Sequence, residues 1–123
     1  MPLVKHILDV GQCAMDAMRL DRLLTGKLQC SVERAHTKKQ ALALASENSY
    51  DLILVNRLLD RDRSSGIDLI AALHAAHPTV PLMLVSDYPE AQEEAVQAGA
   101  LPGFGKSDLE SPETTTRLRK VLS

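Results

Sequence analysis

The sequence predicts an α/β fold, a doubly wound five-stranded parallel sheet with helices on both faces. Three observations predict it. Strand-like apolar runs alternate with helix-like patterns five times along 123 residues. The connections are short, as parallel strands joined by right-handed helical crossovers require. The runs also end alike: Leu52-Ile53-Leu54-Val55 stops at Asn56, and three others stop at Gly11 and Gln12, at Ser86 and at Lys106. In an open parallel sheet such tips line one crevice, where a functional site is to be sought.

Val4 to Val10 reads as the first strand and Gly11 with Gln12 as its turn. Ala14 to Leu24 follows as a helix, with Met15, Met18 and Leu23 at apolar positions and Gly26 as its stop. Leu28, Cys30 and Val32 alternate with Gln29, Ser31 and Glu33, the period of two expected of a strand at or near a sheet edge. Thr37 with Gln40 is a capping box, opening a helix with Ala41, Leu42, Leu44 and Ala45 that Asn48 and Ser49 break. Leu52 to Val55 is apolar throughout and is expected at the centre of the sheet.

The charged stretch from Arg57 to Gly66 reads as a loop, and Ile67 to Ala76 as a helix stopped by Pro78. Val80 to Val85 is the fourth strand, with Pro81 tolerable near its start. Pro89 suits the first position of a helix from Glu90 to Ala98, and Gly99 suits its left-handed C-terminal cap. A short strand spans Pro102 to Gly105. Ser111-Pro112-Glu113 opens the last helix, which Thr114, Thr115 and Thr116 weaken. The alternation describes a single flavodoxin-like domain over residues 1–123.

Composition agrees with that architecture. Hydrophobic residues make up 45% of the chain and aromatic residues 2%, so the core is built from Leu, Ile, Val, Met and Ala. Fourteen Lys and Arg against sixteen Asp and Glu give a net charge of -2, with no basic cluster to neutralise phosphates, so nucleic acid is not an expected partner. The N-terminus lacks a signal pattern and no apolar run approaches the ~20 residues of a membrane span; no membrane association is expected, and the cytoplasm is the expected compartment. Cys13 and Cys30 form no C-x-x-C pair and read as reduced thiols. His74 and His77 are spaced i, i+3 without further ligands and read as a solvated helix end.

At this point the residues resemble the receiver domain of two-component response regulators, the CheY-like family, over nearly the whole chain. That family has an acidic pair after the first strand, an aspartate after the third, Ser or Thr after the fourth and Lys-Pro after the fifth, preceded by an A-G-A-like turn. The matching positions here are Gly11 and Gln12, Asn56, Ser86, and Lys106 with Ser107, with Ala98-Gly99-Ala100 as the turn. Tyr50-Asp-Leu-Ile-Leu-Val-Asn56 is similar to the family's third strand and Val80-Pro-Leu-Met-Leu-Val-Ser86 to its fourth.

The resemblance implies that the acidic positions would hold Mg²⁺ and that the strand-three aspartate would accept a phosphoryl group. Here the chemistry departs. Magnesium wants carboxylate oxygens, whereas Gly11 offers no side chain and Gln12 and Asn56 offer neutral amides. The Asn56 nitrogen has no lone pair to attack with. Asn56 is therefore the degenerate phosphoacceptor equivalent, Gly11 and Gln12 the degenerate acidic pair, and Ser86 and Lys106 the retained pocket residues. Ser86 is expected to satisfy backbone at its strand end, and Lys106 to hydrogen-bond Asn56 and strand-end carbonyls.

Other carboxylates do not replace the missing ones. Asp9 lies roughly 6 to 7 Å back from the tip and reads as a buried, hydrogen-bonded carboxyl. Asp60 and Asp62 read as a solvated run self-paired with Arg57, Arg61 and Arg63, and Asp87 as a cap of the following helix. The expected function is thus a pseudo-receiver of phosphorelay signalling, not an enzyme. It would need no cofactor, have lost Mg²⁺ binding, and act through a protein partner or a second copy of itself on the surface from Glu90 to Leu122. The alternative is a flavodoxin-like domain that binds a small molecule or nucleotide in the crevice.

Overall fold

The computed structural model describes residues 4–123. Five strands, β1 (His6–Val10), β2 (Ser31–Ala35), β3 (Leu52–Asn56), β4 (Leu82–Val85) and β5 (Leu101–Phe104), form one sheet in the order β2-β1-β3-β4-β5. Every pairing is parallel. The helices are α1 (Ala14–Asp21), α2 (Lys38–Glu47), α3 (Gly66–Ala76), α4 (Pro89–Gln97) and α5 (Pro112–Leu122). This is the doubly wound, flavodoxin-like arrangement.

Alternation along the strands sorts the core into two layers. Leu8, Val10, Ile53, Val55, Leu82 and Leu84 face one way and are covered by Ala41 and Ala45 of α2, Leu69, Ile70 and Leu73 of α3, and Ala91 and Ala95 of α4. The alanines let those helices lie close to the sheet. Ile7, Leu52, Leu54, Met83 and Val85 face the other way, under Leu20 of α1 and Leu118 and Leu122 of α5. β3 is buried on both faces, which is why its sequence is continuously apolar.

Chain order reverses between β1 and β3, so the crevice opens at the C-terminal ends of these strands. The register Val10↔Val55 and Asn56↔Val85 sets Gly11, Asn56 and Ser86 beside one another. β4 and β5 pair with a register shift. The Gln92 amide fills that gap: its Nε2 donates to the carbonyls of Leu84 and Ser86, each at 3.0 Å, and its Oε1 accepts from the Gly103 N–H at 3.1 Å.

Some boundaries differ from the sequence expectation. Gly26 does not stop the first helix, which continues as a π-helical segment, Arg22–Lys27. The wider turn buries both Leu23 and Leu24, and the chain leaves it through Gln29 in the left-handed region at φ 55°. β2 accordingly begins at Ser31, three residues past Leu28. The Thr37 and Ser111 caps form as expected. The threonines of α5 are partly compensated, since Thr114 Oγ1 donates to the Asp108 carbonyl at 2.7 Å.

The Arg57 to Gly66 loop is a folded structure in place of a solvated charge run. Leu58 and Ser65 bridge its two ends, and Leu59 is fully buried. Asp60 pairs with His36 at 3.1 Å. Asp62 accepts from the Lys38 N–H at 2.9 Å and from the Ser64 N–H and hydroxyl. Its two aspartates thus tie the loop to the β2-α2 turn or close it locally, and do not pair with the arginines beside them.

Candidate functional site

Asn56 is the last residue of β3, and its side chain bonds only to backbone among the described residues. Nδ2 donates to the Gly11 carbonyl at 2.9 Å and to the Leu58 carbonyl at 2.8 Å. Oδ1 accepts from the Arg57 N–H at 3.0 Å. One amide therefore fastens the β1-α1 turn to the loop after β3. A carboxylate has no N–H to offer and would set negative charge against two carbonyl oxygens.

Gly11 has φ +78°, a left-handed backbone that favours glycine. A Cβ there would stand 2.4 Å from Leu59 Cδ2 and 2.8 Å from Leu59 Cα. Leu59 thus fills the space that a side chain at residue 11 would need. Gly66 is required by a similar close approach, because a Cβ on it would meet the Asn56 carbonyl oxygen at 1.8 Å. Gln12 is 1% exposed, and its carbonyl accepts from Arg34 Nη2 at 3.1 Å. Neither polar atom of its side chain has a hydrogen-bond partner among the described residues.

Asp9 lies behind this tip and is 2% exposed. The carboxyl is buried as expected, but the expected hydrogen bond is not found: its Oδ1 has no partner among the described residues. Burial pushes its pKa up to about 7, against the opposing pull of Arg34 and the nearby Gln12 amide.

Lys106 corrects another expectation. Its Nζ pairs with Asp16 at 3.0 Å, where an Asn56 contact was expected. The sequence reading overlooked Asp16, which lies in the first turn of α1 and four residues beyond Gln12; a carboxylate one helical turn past the acidic-pair position was the available signal. Partial burial pushes the Asp16 carboxyl up, but the Lys106 hydrogen bond and charge, with smaller contributions from Cys13 and Arg19, hold it below the usual carboxylate range. Ser86 Oγ accepts from the Tyr88 N–H at 3.2 Å, the backbone role expected of it. Asp87 does not cap α4; its Oδ1 accepts from the Ser107 N–H at 3.1 Å and hydroxyl at 2.8 Å.

The crevice beside Asn56 encloses about 480 Å³, lined by Asn56, Arg57, Arg63, Ser86, Asp87 and Lys106 among others. Arg57 lies over the Tyr88 ring, 4.8 Å from its centroid. A larger hollow of about 610 Å³ lies at the opposite end of the sheet, beside Lys5, Asp51 and His77. The residues at the acidic positions do not fit Mg²⁺: one has no side chain, one is buried, and the third donates to carbonyls. Among the described residues no three His, Cys, Asp or Glu side chains cluster as metal ligands.

A five-stranded parallel sheet of this order, with its crevice at the β1-β3-β4 tips, is the flavodoxin-like architecture that receiver domains share. The response regulator receiver domain family matches residues 13–108, well over half of the chain, and the chain belongs to that family. No curated protein sequence matches the chain. Among solved structures, a putative response regulator from Chloroflexus aurantiacus J-10-fl is similar at 22% identity and TM-score 0.85, with 98% of each chain covered. A response regulator from Burkholderia pseudomallei with a phosphorylated aspartic acid, calcium ion and citrate is 26% identical, with TM-score 0.75, over 97% of this chain and 66% of that one. NtrX from Brucella abortus is similar at 20% identity and TM-score 0.73, with 97% of this chain covering 29% of that one.

Proposed function

We propose that the chain is a pseudo-receiver of two-component signalling that works by protein recognition and neither accepts a phosphoryl group nor binds Mg²⁺. The observation that supports this most is the Asn56 amide, whose two N–H donors are both spent on backbone carbonyls and whose oxygen accepts a backbone N–H. The Burkholderia pseudomallei response regulator holds a phosphorylated aspartic acid; an acyl phosphate of that kind needs a carboxylate, and the β3 tip here bears an amide. Gly11 and Gln12 supply no carboxylate either, and Leu59 occupies the space beside Gly11.

Recognition is assigned to the surface from Glu90 to Leu122, open to a protein partner or a second copy. Val96 is 43% and Leu101 41% exposed there. A hollow of about 460 Å³ lies between α4 and β5, edged by Pro89, Val96, Pro102 and Arg117. Among the described residues no helix is long and apolar enough to cross a membrane, and we assign the domain to the cytoplasm, where phosphorelay proteins meet.

Treatment with acetyl phosphate and Mg²⁺, read by intact mass, and titration with beryllofluoride and Mg²⁺, read by NMR, test the reading. No added phosphoryl mass and no Mg²⁺-dependent shift at the β3 tip are expected. Stoichiometric modification would overturn it.

A further inference from the structure

The loop after β3 separates its charges. Asp60 and Asp62 turn toward His36, Lys38 and Ser64. Arg57 and Arg63 instead line the crevice, and neither has a carboxylate within ion-pair distance among the described residues. Lys106 also lines it, with its charge partly offset by the Asp16 carboxylate at 3.0 Å. Asp87 is the one carboxylate in the lining, and its Oδ1 is occupied by Ser107.

We propose that this crevice binds a small molecule through a phosphate or carboxylate group. The Arg57 guanidinium carbon lies over the Tyr88 ring, 4.8 Å from its centroid, and a guanidinium edge can donate two parallel hydrogen bonds to an oxyanion. Arg63 adds a second guanidinium to the lining. The Ser86 hydroxyl accepts from Tyr88 and retains its own proton to donate. Asn56 is neutral, which leaves Asp87 as the single negative charge in the lining against Arg57, Arg63 and Lys106. A volume of about 480 Å³ suits a ligand of metabolite size.

The inference rests on the pseudo-receiver reading, since a covalent phosphoryl group would occupy the same place, and the two fail differently. Covalent phosphoryl mass defeats that reading. Absence of reversible anion binding, with no covalent mass, defeats this inference alone.

The test is an NMR titration of the full chain in EDTA with inorganic phosphate, AMP and citrate. Saturable shifts of the Arg57, Arg63, Ser86 and Lys106 amides are expected, with a dissociation constant of about 1 mM or tighter at low salt and weakening as salt is added. Tighter phosphate and AMP binding assigns a phosphate ligand, and tighter citrate binding a carboxylate. Arg57→Gln with Arg63→Asn should weaken binding about tenfold or more; asparagine tolerates the left-handed backbone of residue 63, at φ 60°, so the loop keeps its shape. No saturable shift with any probe, or undiminished affinity in the double variant, would overturn the inference.

Discussion

The Asn56 amide nitrogen donates to the Gly11 carbonyl across the β1-β3 pair at 2.9 Å. A residue at the tip of the central strand thereby holds shut the turn where receivers of the resembling pattern carry their acidic pair. The same nitrogen reaches the Leu58 carbonyl, so the two loops that frame the crevice share one fastening. Residues 11 and 56, both uncharged, are thus structurally coupled.

That coupling extends to Leu59. Gly11→Ala is expected to destabilise the chain by about 2 kcal/mol or more, because a side chain at φ +78° is strained and its Cβ overlaps Leu59. In a double-mutant cycle with Leu59→Ala the Cδ2 clash is removed while the backbone clash with the residue 59 Cα remains, so the double variant should cost less than the two single substitutions summed. Urea unfolding of the four proteins measures this. Strict additivity would show that Leu59 does not fill the residue 11 space.

Asp9 should make stability depend on pH. Its folded-state pKa, about 7, lies above the ~3.9 of an unfolded aspartate, so between these values the native state binds the extra proton. Its contribution therefore makes stability fall as pH rises from about 4 to about 7. Asp9→Asn should remove that decline and be more stable than the parent at about pH 8, relative to its standing at about pH 4. Urea midpoints across this range check it, and parallel profiles would contradict it.

Lys106 and Asp16 give the opposite sign. The Asp16 pKa is lowered, so its contribution is present above the ordinary aspartate range and lost as pH falls through the folded-state value. Lys106→Met should move the Asp16 carboxyl upward, visible in its ¹³C titration by NMR. An unmoved titration would mean that the pair at 3.0 Å does not set the Asp16 charge.

The fold was legible because it rests on patterns of single segments. The apolar run of β3, the Thr37 and Ser111 caps and Pro89 at the start of α4 each state their own role locally. What was not legible depends on partners distant in sequence. Nothing around Lys106 names Asp16, ninety residues earlier, and the alternating charges from Asp60 to Arg63 look self-paired until His36 and Lys38 are brought beside them. The π-helical segment was hidden for a different reason: Gly26 is a stop signal by composition, but burying both Leu23 and Leu24 keeps the helix going past it. At the site, the residue types at positions 11, 12 and 56 were legible, while the hydrogen bonds that use the Asn56 amide were not.

The most direct measurement is made on Asn56→Asp. The substitution is nearly isosteric, but it replaces two N–H donors with acceptors facing the Gly11 and Leu58 carbonyls. At neutral pH it is expected to cost about 3 kcal/mol or more in urea unfolding, with part of the loss recovered on acidification as the new carboxyl protonates. The variant should still show no Mg²⁺-dependent shift with beryllofluoride, because Gly11 and Gln12 bring no carboxylate. An Asn56→Asp protein as stable as the parent that took up beryllofluoride would contradict the claim that Asn56 is a backbone fastening in place of a phosphoacceptor.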